Sequence, residues 1–296
     1  MRMRDRYDWF PLLLMLPALV LLGVILLYPI VRGLWMSFYE VSFVSVSRQE
    51  TFVGLDNYRA MLANPYFWNS VRVTVIYTVL TVGLSFAIGL GTALLLNTRF
   101  PGRAAARLVM IIPWAVPAVV AVLIWTWMLD ANFGVANYLL VSLHIVNQKL
   151  AWLPQPELAL AAVTMVTVWQ FFPIATVMIL GGLQTIPEEL YEAASIDGSG
   201  ALGRFRWVTW PGLAPVTVVL VLLLTLNAFR TVTIVYIMTG GGPARATETL
   251  SVATYLEAFK FFRGGDAAAI GVVMLLVSLI FTVIYLLALG RREGGE

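Results

Sequence analysis

The sequence has no cysteine, a single histidine and few charged residues, and each of these shortages excludes a class of protein. Without cysteine there is neither a disulfide framework nor a thiolate metal site, and the lone His144 rules out bis-histidine haem ligation. Charged residues make up 12% of the 296 residues and hydrophobic residues 60%. Such a composition is typical of a chain whose solvent is lipid. The net charge of +3 is ordinary for a membrane protein and does not indicate nucleic-acid binding.

Long hydrophobic runs account for most of the chain. A membrane-spanning helix needs about 20 mostly apolar residues. Six runs of that length predict six spans, at residues 10–31, 73–96, 108–129, 158–183, 213–239 and 267–289. The first run is interpreted as a retained anchor, because it is long enough to span and no convincing cleavage site follows it. We therefore predict an all-α membrane protein with one polytopic domain over residues 1–296.

Small residues and prolines add detail to two of these runs. In the second run, two stripes of small residues predict a helix packed among others, namely Ser85, Gly89 and Ala93, and Gly83, Ala87 and Gly91. In the third run, Pro113 and Pro117 predict a bend that frees backbone carbonyls. Neighbouring helices must then satisfy those carbonyls.

Basic residues predict the orientation of the chain. They are concentrated at the N-terminus, in the second and fourth connections and in the tail, as Arg2, Arg4, Arg6, Arg99, Arg103, Arg107, Arg204, Arg206, Arg291 and Arg292. Short connections rich in Lys and Arg stay in the cytoplasm. With an even number of spans, both termini and the loop at residues 184–211 are predicted to be cytoplasmic.

An acidic segment, EELYEAASIDGSG at residues 188–200, stands out in this oily chain. Thr185 and Glu188 fit a capping box with Pro187 in the first turn, which predicts a helix start. Gly198 and Gly200 end that helix, and a second helical piece follows at residues 201–210. An exposed helix, turn and helix can dock into a cleft of a partner. The alternative is a solvated interfacial helix whose acids keep it out of the lipid.

A longer run, EAASIDGSGALGRFRWVTWP at residues 192–211, resembles the EAA loop of the permease subunits of binding-protein-dependent ABC importers. That pattern has EAA, three residues, Gly, nine residues, Ile, any residue, Leu and Pro, and the matching positions are Glu192, Ala193, Ala194, Gly198, Val208, Trp210 and Pro211. Val208 and Trp210 depart from the pattern, and both changes are apolar. The resemblance implies a coupling helix that binds an ATPase subunit through Glu188, Glu192, Ala193, Ala194, Asp197 and Gly198.

Two further segments are similar to the carbohydrate-uptake branch of these permeases, and to the larger of its two permease subunits. They are FVGLDNYRAML at residues 52–62 and TGGGPARATETLSVATYLEAFKFF at residues 239–262. The resemblance implies a subunit that is not an enzyme and that lies in the inner membrane of a bacterium or archaeon. It also implies a second homologous permease, two cytoplasmic ATPases and an external solute-binding protein as partners, with no cofactor in this chain because ATP and Mg are bound by the ATPases.

Polar residues within spans are the first candidates for a solute pathway, because they are costly in lipid. Asn227, Arg230 and Thr231 share one helical face of the fifth run, and Trp169, Gln170 and Phe171 cluster in the fourth. Amide and guanidinium donors beside aromatic rings suit a carbohydrate, and the resembling family places solute contacts in these two spans. The bland alternatives are core packing for the aromatic residues, interhelical bonding for Asn227 and a structural role for Arg230.

Three other functions remain as alternatives. If Arg230 faces the pathway, a sugar phosphate or glycerol phosphate becomes a candidate solute. An ion-coupled secondary transporter would need a carboxylate or histidine deep in a span, whereas Asp130, Glu157 and Asp266 all fall at predicted ends. A membrane enzyme would need a catalytic or metal constellation, and none is visible outside the acidic segment.

Overall fold

The computed structural model describes residues 10–43 and 50–293, and most of these residues are helical. Five helices are long and apolar enough to cross a membrane, namely Leu13–Met36, Pro65–Asn97, Pro156–Gln184, Ala214–Thr239 and Gly264–Leu287. The bent pair Arg103–Ala115 and Ala118–Met128 raises the number to six if it counts as one span. The chain is thus a helical membrane protein with five or six spans. Arg2, Arg4 and Arg6, on which the predicted orientation partly rests, lie outside the described residues.

One compact unit comprises Met1–Asn64 and Thr254–Val273. Its described elements are α1 (Phe10–Leu22), a π-helical segment (Gly23–Leu27), α2 (Tyr28–Met36), β1 (Tyr39–Glu40), β2 (Thr51–Phe52), α3 (Asp56–Ala63), a second π-helical segment (Leu256–Lys260) and the start of α15 (Gly264–Glu293). The two strands are antiparallel, with Tyr39 opposite Phe52. The Asn57 amide donates to the carbonyls of Ser37 and Tyr39 at 2.9 and 3.0 Å. Asn57 in the FVGLDNYRAML segment therefore ties α3 to the end of the first span.

The other compact unit comprises Pro65–Ala253 and Met274–Glu296. It contains α4 (Pro65–Asn97), α5 (Arg103–Ala115), α6 (Ala118–Met128), α7 (Val135–Ser142), α8 (Pro156–Gln184), α9 (Glu188–Ile196), α10 (Ala201–Arg204), a π-helical segment (Phe205–Thr209), α11 (Trp210–Gly212), α12 (Ala214–Arg230), α13 (Thr233–Thr239), most of α14 (Leu250–Tyr255) and the later part of α15. Apolar side chains of α4, α8 and α12, with Leu213 at the N-cap of α12, form the core cluster, which consists of Ala93, Leu96, Ala175, Ile179, Leu180, Leu183, Leu213, Leu220 and Leu224.

Helices α4 and α8 run side by side in the same direction. The Tyr77 and Thr167 hydroxyls lie 2.8 Å apart, and the Thr92 and Thr176 hydroxyls 2.6 Å apart further along. Between these pairs the backbones approach closely, because a Cβ on Gly89 would lie 2.6 Å from that of Ala175. The stripe of Ser85, Gly89 and Ala93 is buried as predicted, whereas that of Gly83, Ala87 and Gly91 is exposed. The first stripe therefore packs as predicted, and the second stripe does not pack against another described helix of this chain.

The third predicted span is broken where α5 ends at Ala115 and α6 begins at Ala118. The two helices are bent by 96°. Pro117 has no backbone N–H and disfavours a helical conformation at Val116, which is extended with ψ of 128°. The predicted bend is confirmed and lies at Pro117. Pro113 is accommodated inside α5.

The fifth predicted span is also broken, between α12 and α13. Thr231 is extended, with φ of −65° and ψ of 117°, and helix resumes at Thr233. No proline or glycine stands at this position. The break was not predicted from the sequence.

The glycine-rich loop after α13 folds back on the start of α4. Gly240 and Gly241 form a turn with positive φ, of 62° and 89°, a conformation that glycine adopts readily. Glu248 is buried, accepts hydrogen bonds from the Ser70 hydroxyl and the Arg245 guanidinium at 3.1 and 3.0 Å, and is ion-paired with Arg245. Burial raises the pKa of the Glu248 carboxyl, and Arg245 and Ser70 oppose that rise. The carboxyl thus holds this loop against the start of α4, outside the candidate spans.

The α4–α8 contact generates a prediction about stability. Gly89→Ala should lower the thermal unfolding midpoint of the detergent-solubilised protein, since overpacking a helix contact costs about 1–3 kcal/mol. Gly91→Ala is the matched control, because a Cβ on Gly91 meets nothing within 4 Å. That control should leave the midpoint unchanged or raise it slightly, as alanine favours helix over glycine. Equal midpoints for the two variants would show that this contact does not hold the helices together.

Candidate functional site

Both span breaks leave a backbone carbonyl free, and a side chain from another helix satisfies each one. At the first break, the Gln170 side-chain amide of α8 donates to the Val116 carbonyl at 2.9 Å. At the second, the Ser251 hydroxyl of α14 donates to the Thr231 carbonyl at 2.9 Å. A carbonyl left unbonded in lipid costs several kcal/mol. These two bonds therefore stabilise the irregular backbone inside the spans.

The predicted pathway residues of the fifth span lie at the end of α12, beside its break. Asn227 and Arg230 are exposed and Thr231 is half-buried. Each bonds a carbonyl one turn earlier, Asn227 to Leu223 at 2.8 Å, Arg230 to Leu226 at 3.3 Å and Thr231 to Asn227 at 2.6 Å. At 1.5 Å per residue, Asn227 stands about 20 Å from the start of α12, near the middle of the span. Exposed polar groups at that depth mark a face that does not suit lipid.

The predicted pathway residues of the fourth span have packing partners within this chain. Gln170 is 7% exposed, and its amide bonds Val116. The half-buried Trp169 ring meets Trp125 edge to face, with centroids 5.6 Å apart. Phe171 packs against the core cluster. No hydrogen bond or ring contact among the described residues joins this group to Asn227, Arg230 or Thr231, so their predicted role in solute binding stays a prediction.

The acidic segment forms the expected helix, turn and second helix. Helix α9 presents Glu188, Glu192, Ala193 and Asp197 on its exposed side, with Ala194 half-buried and Gly198 in the turn. Gly198 has φ of 79°, a conformation that glycine adopts most readily. The second helical piece runs from Ala201 to Gly212 through α10, the π-helical segment and α11. The Tyr191 and Thr209 hydroxyls, 3.1 Å apart, link the two pieces.

The predicted capping box at the start of α9 is wrong. The Thr185 hydroxyl donates to the Gly182 carbonyl at 2.8 Å, so it ends α8 instead of starting α9. Pro187 stands at the N-cap position of α9, and no side chain caps the helix. Helix α9 therefore begins after Pro187, whose extended backbone separates it from α8. The carboxylates of Glu188 and Glu189 in its first turn stabilise the helix by complementing its dipole.

Sequence reasoning missed the large apolar side chains of α9 and of the helical piece after it as candidates for partner binding. Ile196 is 86% exposed, Leu202 81% and Trp207 70%. Exposed apolar groups beside carboxylates are typical of a protein interface. The signal is present in the sequence, as large apolar residues inside a polar loop.

No group of three or more His, Cys, Asp or Glu side chains that could hold a metal ion occurs in the part of the chain that the structure describes.

Similarity to known proteins identifies the family to which the chain belongs. The profile of the family described as "Binding-protein-dependent transport system inner membrane component" matches residues 83–292. The chain belongs to this family of permeases. It is 39% identical to the sulfoquinovosyl glycerol transport system permease protein SmoG of Agrobacterium fabrum, over 95% of this chain and 90% of that protein. It is 37% identical to the trehalose/maltose transport system permease protein MalF of Thermococcus litoralis, over 93% and 91%.

The permease fold is also found in a solved structure, described as a bacterial ABC transporter involved in the import of the acidic polysaccharide alginate. A chain of that structure superposes with a TM-score of 0.82 at 20% identity, over 96% of each chain. The similarity at this level of identity concerns the fold. The relatives are transport-system permease proteins, and this chain is accordingly a permease subunit and not an enzyme.

The bond between Gln170 and Val116 generates a prediction about the broken third span. Gln170→Leu keeps a similar volume but leaves the Val116 carbonyl without its donor, which should cost about 1–3 kcal/mol. The thermal midpoint of the permease in lipid nanodiscs should fall accordingly. Gln184→Leu, at the exposed end of α8, is the matched control and should not change it. A Gln170→Leu variant as stable as the parent would remove the role of this bond.

Proposed function

We propose that this chain is the transmembrane subunit of an ATP-driven importer and forms half of the translocation pathway for a carbohydrate. Two relatives that align over nearly the whole chain are named for transport of trehalose and maltose and of sulfoquinovosyl glycerol. A di- or oligosaccharide, or a related polyol, is the solute class that these names support. The amide of Asn227 and the hydroxyl of Thr231, on the exposed face of the fifth span, are suitable partners for sugar hydroxyls.

The energy source is assigned to other chains. In the proposed complex, this subunit pairs with a second, homologous permease, and two ATPase subunits bind ATP and Mg. An external binding protein delivers the solute. The complex lies in the inner membrane of a bacterium or archaeon, with both termini of this subunit in the cytoplasm.

The acidic segment carries this proposal. Helix α9 exposes its carboxylates to solvent. Beyond the turn, Leu202 and Trp207 expose apolar surface, which is unfavourable in water and is typical of a surface that binds another protein. It lies at the end of the bundle where Arg103 and Arg107 bond the Leu96 carbonyl, the end that the basic connections assign to the cytoplasm. A projecting helix, turn and helix of this kind can fit a cleft of an ATPase, with Glu192 next to a basic residue of that subunit.

Movement would pass from the ATPases to the spans through short, rigid links. Ile186 packs on Gly212, where an added Cβ would lie 2.8 Å from its side chain, and Leu213 belongs to the core cluster. A displacement of α9 is therefore transmitted to α8 and α12 directly. Rigid movement of this subunit against its partner would open the pathway to each side in turn.

An ion-coupled transporter is a weaker candidate. It requires a titrating group deep in a span. Among the described residues, Asp130 follows α6, and Glu157 and Asp266 lie in the first turns of α8 and α15. The buried Glu248 is paired with Arg245 outside the spans.

The test is reconstitution of the permease with its partner permease, ATPases and binding protein in proteoliposomes. ATP hydrolysis should be stimulated by a carbohydrate and should drive its uptake without an ion gradient. Glu192→Lys should lower stimulated hydrolysis about tenfold or more, because like charges at an interface cost several kcal/mol. Glu157→Lys, an exposed reversal at the other end of α8, is the control.

Two results would contradict the proposal. Uptake that survives ATP depletion but not loss of the ion gradient would favour the ion-coupled transporter. A Glu192→Lys complex with full ATPase association and full uptake would remove the coupling role of α9.

A further inference from the structure

Arg230 is a cation on the exposed face of the fifth span, and the structure gives it no counter-ion among the residues it describes. None of the ion pairs among the described residues includes it. Its guanidinium makes one hydrogen bond, from Nε to the Leu226 carbonyl of its own helix at 3.3 Å. Both terminal nitrogens are therefore left with all their donors for a ligand from outside the described chain.

The position of Arg230 does not suit lipid. It lies at the end of α12, about 24 Å from the start of that helix at 1.5 Å per residue, and nine residues before the end of the span at Thr239. Helical side chains lean toward the N-terminus of their helix. The bond to Leu226 likewise draws the guanidinium back along α12, toward the middle of the span and away from the nearer end. Extension to the headgroups at the nearer end is thus the opposite of the conformation observed.

The surroundings of Arg230 favour a solute over a lipid tail. Asn227 is exposed one turn earlier on the same face, and Thr231 follows at the break. No described residue donates to the Asn227 amide oxygen, which can accept from a hydroxyl. The C-terminal end of a helix favours a cation, and Arg230 is the last residue of α12. A planar guanidinium with two free nitrogens matches the paired oxygens of an anionic group.

We propose that Arg230, with Asn227, forms a subsite for the anionic group of an acidic carbohydrate in the translocation pathway. The anionic group can be a carboxylate, a sulfonate or a phosphate, since each presents two oxygens to the guanidinium. This inference rests on the proposed function as a carbohydrate importer and narrows its solute to a charged one. A carboxylate from the partner permease is the competing occupant, and the experiment separates the two.

The experiment compares matched neutral and acidic sugars in the reconstituted complex. The pairs are maltose and maltobionate, glucosyl glycerol and sulfoquinovosyl glycerol, and trehalose and trehalose 6-phosphate. The complex should take up at least one acidic member in preference to its neutral counterpart. Arg230→Gln should lower the ratio of acidic to neutral uptake about 10- to 100-fold, the effect expected for a charged hydrogen-bonded pair. Arg230→Lys should retain part of the preference because it keeps the charge without the fork.

Arg72→Gln is the control, since Arg72 is an exposed arginine near the start of α4, on a different span from Arg230. It should keep the parent ratio. Three outcomes would overturn the inference. Uptake of neutral sugars only would leave the importer but remove the anion subsite. Equal loss of both kinds of uptake, with loss of co-purified partner permease, would assign Arg230 to a carboxylate of that subunit. Absence of uptake for every sugar would reject the proposed function together with this subsite.

Discussion

Backbone hydrogen bonding in lipid is the constraint on which the rest of this structure depends. A span can depart from helix only where some other group satisfies the freed carbonyl. In the described spans this happens at Val116 and at Thr231, and each time one side chain supplies the donor: Gln170 for Val116 and Ser251 for Thr231. Removing either donor would leave a polar group unbonded inside the bundle, so these two contacts make the irregular spans possible.

The two breaks separate the helical parts of the spans that lie beside the acidic segment from the parts that lie beyond Val116 and Thr231. The close contact of α4 and α8 at Gly89 and the core cluster around Leu213 give the spans a stiff half beside the acidic segment. Beyond Val116 and Thr231 the backbone is no longer continuous helix. In the proposed mechanism, a displacement of α9 would thus act first on helices that pack closely against one another. Asn227 and Arg230 lie next to the break at Thr231, where such a movement would change their surroundings.

The sequence predicted the spans because length and hydrophobicity are set by the bilayer, and it predicted the bend at Pro117 because proline removes a donor. It did not predict the break at Thr231, because the β-branched run Thr231, Val232 and Thr233 disfavours helix only weakly, and the Ser251 hydroxyl that bonds the freed carbonyl is distant in sequence. It misassigned Thr185, since a threonine between two helices can bond backward to the carbonyls of the first helix as well as forward to the second. The packing of Gln170 was also out of reach, because an amide that binds solute and an amide that caps a carbonyl look alike in a sequence.

Access of water to the face that carries Asn227 tests the account most directly. The chain has no native cysteine, so Asn227→Cys introduces a single thiol. In the reconstituted complex, a charged, membrane-impermeant thiol reagent should label this variant, with a rate that changes when ATP is added. Ile280→Cys, at a 57% exposed apolar position in the middle of the α15 span, is the control and should stay unlabelled, because an apolar face of a span is expected to contact lipid. An Asn227→Cys variant as unreactive as Ile280→Cys in every nucleotide state would contradict the account.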